Sequence, residues 1–126
     1  IIKPHPACPV NMLDFPSLRG ELSTRPIQEL LMMSDIVYSS LITSAAIDAY
    51  CAGLPVITFL DGKTLNMSPL RGCKGVYFVK NSEDLSHAIN TIKVTVSNQK
   101  RNYFYLDPVL PRWQKWLNDE IVKNNK

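Results

Sequence analysis

The fold is decided by the stretch SDIVYSSLITSAAIDAYCAGLPVITFL, residues 34–60, in which two apolar runs flank a helical pattern. Residues 36–38 (IVY) are β-branched and aromatic, which predicts a short strand. Residues 54–60 form a continuous apolar run, which is typical of a parallel strand buried on both faces. Between them lies a helical pattern over about residues 45–52, and Gly53 is suited to end it. A strand, a helix and a strand in this order predict parallel pairing through a helical crossover.

The flanking sequence continues this alternation of strands and helices. Toward the N-terminus, residues 1–3 predict a strand that is ended by prolines, and a helix begins near Pro26. Toward the C-terminus, residues 76–79 predict a strand, and Ser82 is expected to cap a helix that extends to about residue 93. We therefore expect residues 1–95 to form a Rossmann-like, three-layer α/β/α domain with a parallel sheet of about four strands.

Residues 96–126 are predicted to be a linker followed by an amphipathic helix. Pro111 starts that helix, which would pack on the same domain or on a partner domain. Several lysines and arginines lie after Gln99, and such a basic tail suits phosphates or the peripheral association of the chain with an anionic membrane. A solvated charged surface is the alternative. The apolar face of the predicted helix is formed by Trp113, Trp116, Leu117 and Ile121.

Composition narrows the class of protein. The chain has 126 residues, which is enough for one core, and its 45% hydrophobic and 20% charged content is ordinary for a globular domain. It contains no apolar run of about 18 residues and no signal-peptide pattern at its start. Three widely spaced cysteines without a C-x-x-C pair favour a reducing compartment, and we expect a cytoplasmic location. The net charge of +3, without a basic stripe interleaved with aromatic residues, argues against nucleic acid as a partner.

Polar residues follow the predicted strands at the edge where a parallel sheet binds its ligands. His5 lies between Pro4 and Pro6, which fix its backbone and so aim the imidazole. A protonated imidazole can contact a phosphate and, as a general acid, help a phosphate leaving group to depart. The alternative is a histidine that only hydrogen-bonds the backbone in a turn. Lys3 is the basic residue beside this histidine.

Four hydroxyl side chains follow the second predicted strand: Ser39, Ser40, Thr43 and Ser44. Hydroxyls and free N–H groups at a helix N-terminus form an anion site, so these residues are candidates to bind a phosphate. The alternative is that they only cap the helix, a task for which one of them is enough.

Further charged residues are placed near the same edge. Asp48 comes one helical turn after Ser44 and can accept hydrogen bonds from both hydroxyls of a ribose, or can instead complement the helix dipole. Lys63 and Arg71 lie in the polar loop after the third predicted strand, where they either neutralise a diphosphate or are exposed loop charges. The sequence has no carboxylate cluster that predicts a metal site.

Two stretches resemble a signature of the C-terminal domain of GT-B glycosyltransferases. The first is Ser34 to Ser40, and the second is Asp48 to Ile57, in which an acidic residue precedes Ala and a later Gly-x-Pro-Val-Ile. Asp48 stands where that family usually has the glutamate that holds the nucleotide ribose. Lys3-Pro4-His5-Pro6, together with Ser39-Ser40, is similar to the motifs with which bacterial sialyl- and polysialyltransferases engage the donor phosphate.

The resemblance implies the donor-binding half of a bacterial enzyme of surface-polysaccharide biosynthesis. Such an enzyme transfers a sugar from a nucleotide sugar, of the CMP-sialic-acid type, to a cell-surface glycan, and needs no cofactor. Its general base is expected in an N-terminal partner domain, and a chain that starts at Ile1-Ile2 without Met is expected to follow such a domain. The chain alone would then bind nucleotide weakly and catalyse nothing. The alternatives are a nucleotide-sugar 2-epimerase of the same fold and a non-catalytic interaction domain.

Overall fold

The computed structural model describes residues 1–41, 43–92, 101, 103–104 and 109–124, with side chains described as far as residue 118 in the last range. A short 3-10 turn, Met12–Asp14, lies in the long N-terminal segment. The helices are α1 (Ile27–Met32), α2 (Ser44–Cys51), α3 (Ser82–Thr91) and α4 (Pro111–Asn124). The strands are β1 (Val37–Ser40), β2 (Val56–Phe59) and β3 (Val76–Val79).

The strands form a parallel sheet in the order β1-β2-β3. The predicted α/β class with a parallel sheet is therefore confirmed, but the described part of the chain has three strands instead of about four. The first predicted strand is reduced to one parallel bridge, between Ile2 and Leu22. Pro4 and Pro6 have no N–H to donate, so this ladder cannot continue along the segment.

Helices cover both faces of the sheet. The β1-β2-β3 register aligns Val37, Val56 and Val76, so these side chains share one face. That face packs against buried residues of α1 and α2: Leu31, Ala46, Ala49. The opposite face carries Ile57 and Val79, which pack against Ala88 of α3. The small alanines allow α2 to lie close to the sheet, and close packing fixes where its N-terminus stands.

Local signals set the ends of the helices. Gly53 has φ 91°, a conformation that favours glycine, and it stops α2 as predicted. The predicted cap of α3 is wrong by one residue, because the side chain of Asn81, and not that of Ser82, accepts a hydrogen bond from the Asp84 N–H at 2.7 Å. Asparagine is as good an N-cap as serine, and here it comes first in the chain. The helix ends at Thr91, where Ile92 turns to extended backbone.

Two described residues that follow α3, Arg101 and Tyr103, pack back onto the preceding elements. The Arg101 N–H donates to the Cys51 carbonyl at 3.0 Å, and its guanidinium donates to the Leu54 carbonyl at 3.2 Å. The Tyr103 hydroxyl donates to the Pro69 carbonyl at 3.0 Å. The two contacts of Arg101 lie at the end of α2 that is opposite its N-terminus. The predicted boundary at residues 95 and 96 lies outside the described residues.

Helix α4 starts at Pro111, as predicted. Three residues of its predicted apolar face are about half or more exposed: Trp113, Trp116 and Leu117. The side chain of Ile121 lies outside the described part of the structure. Among the helices described, none has both the length and the apolar character needed to cross a bilayer.

Candidate functional site

A cavity of about 570 Å³ lies between β1, the N-terminal segment, α1 and the start of α2. All seven residues predicted to act in binding or catalysis line it: Lys3, His5, Ser39, Ser40, Thr43, Ser44, Asp48. The folding of the chain thus brings together residues that are up to 45 positions apart in sequence. Much of the remaining wall is apolar, with Ile1, Ile2, Val10, Ile27, Leu30 and Ile36 among its residues. A second cavity, of about 490 Å³ between β3 and α3, contains none of the seven.

Three buried hydroxyls near the start of α2 have no hydrogen-bond partner among the described residues. They are Ser39 Oγ, Thr43 Oγ1 and Thr58 Oγ1. Ser39 is 8% exposed and Thr58 is 1% exposed, so neither reaches bulk water freely. A buried hydroxyl without a partner costs about 1–3 kcal/mol, and most buried polar groups in native proteins are satisfied. Ser39 and Thr43 line the cavity and Thr58 does not, so two of the three unpartnered hydroxyls belong to residues of its wall.

Position explains how these hydroxyls come together. Ser39 and Thr58 are partners in the parallel register of β1 and β2, on the face that α2 covers. Thr43 occupies the N-cap position of α2 with extended backbone, yet its side chain makes no cap hydrogen bond. The capping alternative therefore does not account for the hydroxyl of Thr43. The N–H groups at the start of a helix also lack carbonyl partners, so donors of two kinds converge there.

Thr58 was not among the predicted site residues. It lies inside the apolar run of β2, where threonine is a common β-branched residue, so nothing in its immediate sequence marks it. The only available signal was a hydroxyl in a strand that is otherwise apolar from Leu54 to Leu60. The structure adds the decisive fact, which is its register opposite Ser39.

His5 is held in a tight turn. Its Nδ1 accepts a hydrogen bond from the Ala7 N–H at 3.1 Å, and its carbonyl accepts one from the Cys8 N–H at 2.9 Å. A backbone N–H can only donate, so Nδ1 carries no proton in this geometry and Nε2–H is the ring's donor. The turn bond that was the alternative role for His5 is thus present, and it leaves Nε2 available to a ligand. A protonated ring, as expected for a general acid, would require loss of the hydrogen bond from the Ala7 N–H to Nδ1.

The remaining lining residues are exposed and free to meet a ligand. Lys3, Ser40, Ser44 and Asp48 are exposed, and their side chains make no hydrogen bond or ion pair within the described ranges. Ser44 and Asp48 are one turn apart on α2, so they share a face of that helix. A helix N-terminus with a lysine and a histidine lining the same cavity favours an anion, whereas Asp48 favours a neutral hydroxyl donor.

The loop after β2 is organised by its own side chains. Asp61 Oδ1 accepts hydrogen bonds from the Thr64 N–H, the Lys63 N–H and the Thr64 hydroxyl, each at 2.9 Å. The Thr64 N–H is the main cause that lowers the pKa of the Asp61 carboxyl. Arg71 donates to the Asn66 carbonyl at 3.3 Å. Neither Lys63 nor Arg71 lines the cavity, which favours the alternative that they are exposed loop charges.

Within the described residues, no group of three or more histidine, cysteine or acidic side chains could hold a metal ion. Comparison of the chain with protein-family models, with curated proteins and with solved structures found no match. The resemblance to GT-B glycosyltransferases accordingly stays a prediction from the sequence motifs, to be judged by the chemistry of the cavity.

Proposed function

We propose that the cavity beside β1 binds the phosphate of a nucleotide sugar, and that the chain is the donor-binding half of a GT-B-type glycosyltransferase acting on a cell-surface glycan. The observation that carries the proposal is the set of buried hydroxyls without partners among the described residues, two of which, Ser39 Oγ and Thr43 Oγ1, belong to residues that line the cavity. A phosphate oxygen accepts several hydrogen bonds at once, which matches several converging donors.

The phosphate would sit at the start of α2. There the N–H groups of Ser44 and Ala45 have no partner within the helix, and the helix dipole favours negative charge. The hydroxyls of Ser39 and Thr43 donate to the phosphate after rotation about χ1, since each is now buried without a partner. Lys3 also lines the cavity and supplies positive charge.

The nucleoside would extend along α2. Asp48 is one turn beyond Ser44, and a carboxylate repels a phosphate but accepts hydrogen bonds from the paired hydroxyls of a ribose. This difference in chemistry orients the ligand, with the phosphate at the helix end and the ribose one turn along. Aspartate is one methylene shorter than the glutamate of the GT-B pattern, so the ribose would lie closer to the helix.

His5 would act at the bond between phosphate and sugar. As a neutral ring it donates Nε2–H to a phosphate oxygen. To act as general acid it first takes up a proton at Nδ1, which breaks the hydrogen bond from Ala7, and then gives the Nε2 proton to the departing nucleotide. The base that activates the acceptor glycan is assigned to a partner domain outside this chain. We place the protein in the cytoplasm, at the inner face of the membrane, where such donors and acceptors meet.

Binding of CMP and UDP, measured calorimetrically for the wild-type chain and two variants, tests the proposal. His5→Ala should weaken binding about tenfold, the loss expected for one hydrogen bond to a charged group. His87→Ala is the matched control, because His87 lines the other cavity and contacts Thr91. Equal weakening by both variants, or no binding to the wild type at millimolar nucleotide, would refute the proposal.

Product analysis with a longer protein that contains this chain distinguishes the proposed sugar transfer from its nearest alternative, epimerisation of the nucleotide sugar. Transfer of the sugar to an acceptor glycan supports the glycosyltransferase. An isomerised nucleotide sugar formed without an acceptor would instead identify a 2-epimerase.

A further inference from the structure

Thr58 and Ser39 form a pair of buried hydroxyls on neighbouring strands. They are opposite one another in the β1-β2 register, and both Oγ atoms lack partners among the described residues. Only Ser39 lines the cavity, whereas Thr58 is 1% exposed and does not reach it. Thr58 therefore cannot touch a ligand in the cavity except through another group.

The strand pairing places the two residues side by side. Adjacent strands lie about 4.8 Å apart, and register partners point to the same face. Each side chain has alternative staggered χ1 positions, and the inference requires a pair of them in which the two oxygens come to hydrogen-bonding distance. Each hydroxyl has one proton to give and can accept another, so two of them can form a chain that ends in a donor.

We propose that Thr58 is a positioning residue for the anion site. When the anion is bound, its O–H donates to Ser39 Oγ, which directs the Ser39 O–H toward the phosphate and satisfies two hydroxyls that have no partner in the ligand-free protein. A hydrogen bond accepted by a hydroxyl also strengthens the one it donates. This inference rests on the proposed function, since Ser39 must have an anion to donate to.

The simpler alternative is that Thr58 is only a β-branched core residue. Valine has nearly the same shape without the hydroxyl, so Thr58→Val separates the two roles. If the hydroxyl is used, Thr58→Val should weaken CMP binding about threefold to tenfold, the range for one neutral hydrogen bond. The same change should leave the ligand-free protein at least as stable, because it removes a buried hydroxyl without a partner. A merely structural threonine would not move affinity and stability in opposite directions.

Thr58→Ser provides the rescue. It keeps the hydroxyl but loses a buried methyl group, so it should lower the unfolding midpoint while affinity for CMP stays near that of the wild type. A double-mutant cycle adds a further test, because Thr58→Val should have little effect on affinity once Ser39 is alanine.

Calorimetric titration with CMP tests whether Thr58 acts through Ser39. The titrated proteins are the wild type, the three single variants at positions 39 and 58, and the Ser39→Ala/Thr58→Val double variant. The inference is overturned if Thr58→Val binds CMP as tightly as the wild type, if Thr58→Ser is as weak as Thr58→Val, or if the two losses add. In each of these cases the wild type still binds, so the proposed function survives. Failure of the wild type to bind CMP overturns both.

Discussion

Replacing Ser39 with alanine should stabilise the ligand-free protein and weaken ligand binding, two effects that seldom occur together. Ser39 Oγ is buried in a residue that is 8% exposed, and it has no partner among the described residues. Removing it relieves a desolvation cost of about 1–3 kcal/mol, less a small loss of packing. We expect a net gain of about 1 kcal/mol in the free energy of unfolding. For a chain of 126 residues this raises the unfolding midpoint by about 4 °C.

The same hydroxyl should be needed when the anion is bound. A hydrogen bond to a charged group contributes about 1.5–3 kcal/mol, so the affinity of the variant should fall at least about tenfold. At a nucleotide concentration of about ten times the wild-type Kd, binding stabilises the wild type by about 1.4 kcal/mol. With a tenfold weaker Kd the same concentration stabilises the variant by only about 0.4 kcal/mol.

Thermal unfolding with and without CMP measures both effects in one experiment. Ser68→Ala is the matched control, because Ser68 is also buried, at 7% exposure, but its Oγ accepts a hydrogen bond from the Leu70 N–H at 3.3 Å. The control should lose stability and keep the full response to CMP. The reasoning is refuted if Ser39→Ala destabilises the free protein as Ser68→Ala does, or if CMP raises the midpoint of Ser39→Ala as much as that of the wild type.

Two further predictions concern stability alone. Gly75 has φ 80°, and a Cβ there would lie 2.9 Å from the Arg101 guanidinium, so Gly75→Ala should lower the free energy of unfolding by more than about 1 kcal/mol in chemical denaturation. Gly62 has φ 71° and open space around it, so Gly62→Ala should lower that free energy by less. Equal losses in the two variants would contradict the role of Arg101. The pKa of Asp61 is held below its ordinary value of 3.8, mainly by the Thr64 N–H, so the ionised carboxylate stabilises the fold above that value. Asp61→Asn should therefore lower stability at pH 7, with a gap from the wild type that closes as the pH falls below about 4; a gap that is the same at every pH would argue against this.

The α/β fold class could be predicted from the sequence because β1 and β2 lie in short apolar runs on either side of a helical pattern. Residues 36–38 and 54–60 predicted β1 and β2, and Gly53 marked the end of α2. The strand predicted over residues 1–3 is only a single bridge from Ile2 to Leu22 in the structure. The sequence shows apolar residues there but not whether a neighbouring strand pairs with them. The cap of α3 was misplaced by one residue because Asn81 and Ser82 are equally suitable in sequence.

The grouping of the seven candidate residues around one cavity was predictable from the sequence, but their hydrogen bonding was not. His5 and Ser39 were expected near each other because each follows a predicted parallel strand. Both line the cavity, although the segment before His5 forms only an isolated bridge outside the sheet. The acceptor role of Nδ1 depends on the turn from His5 to Cys8, which the prolines permit but do not specify. The hydroxyl of Thr58 can be connected with the candidate site only through its pairing with Ser39 in the β1-β2 register. The local sequence does not encode this long-range pairing.

The most direct test of the central claim is to locate nucleotide binding residue by residue. Amide chemical shifts of the isotopically labelled chain, followed during titration with CMP and with UDP to millimolar concentration, distinguish the two cavities. We predict that the largest changes occur at Ser40, Ser44 and Ala45, at the start of α2, with little change at His87 and Ala88. Shifts centred on His87 and Ala88, or no shifts at all, would contradict the account.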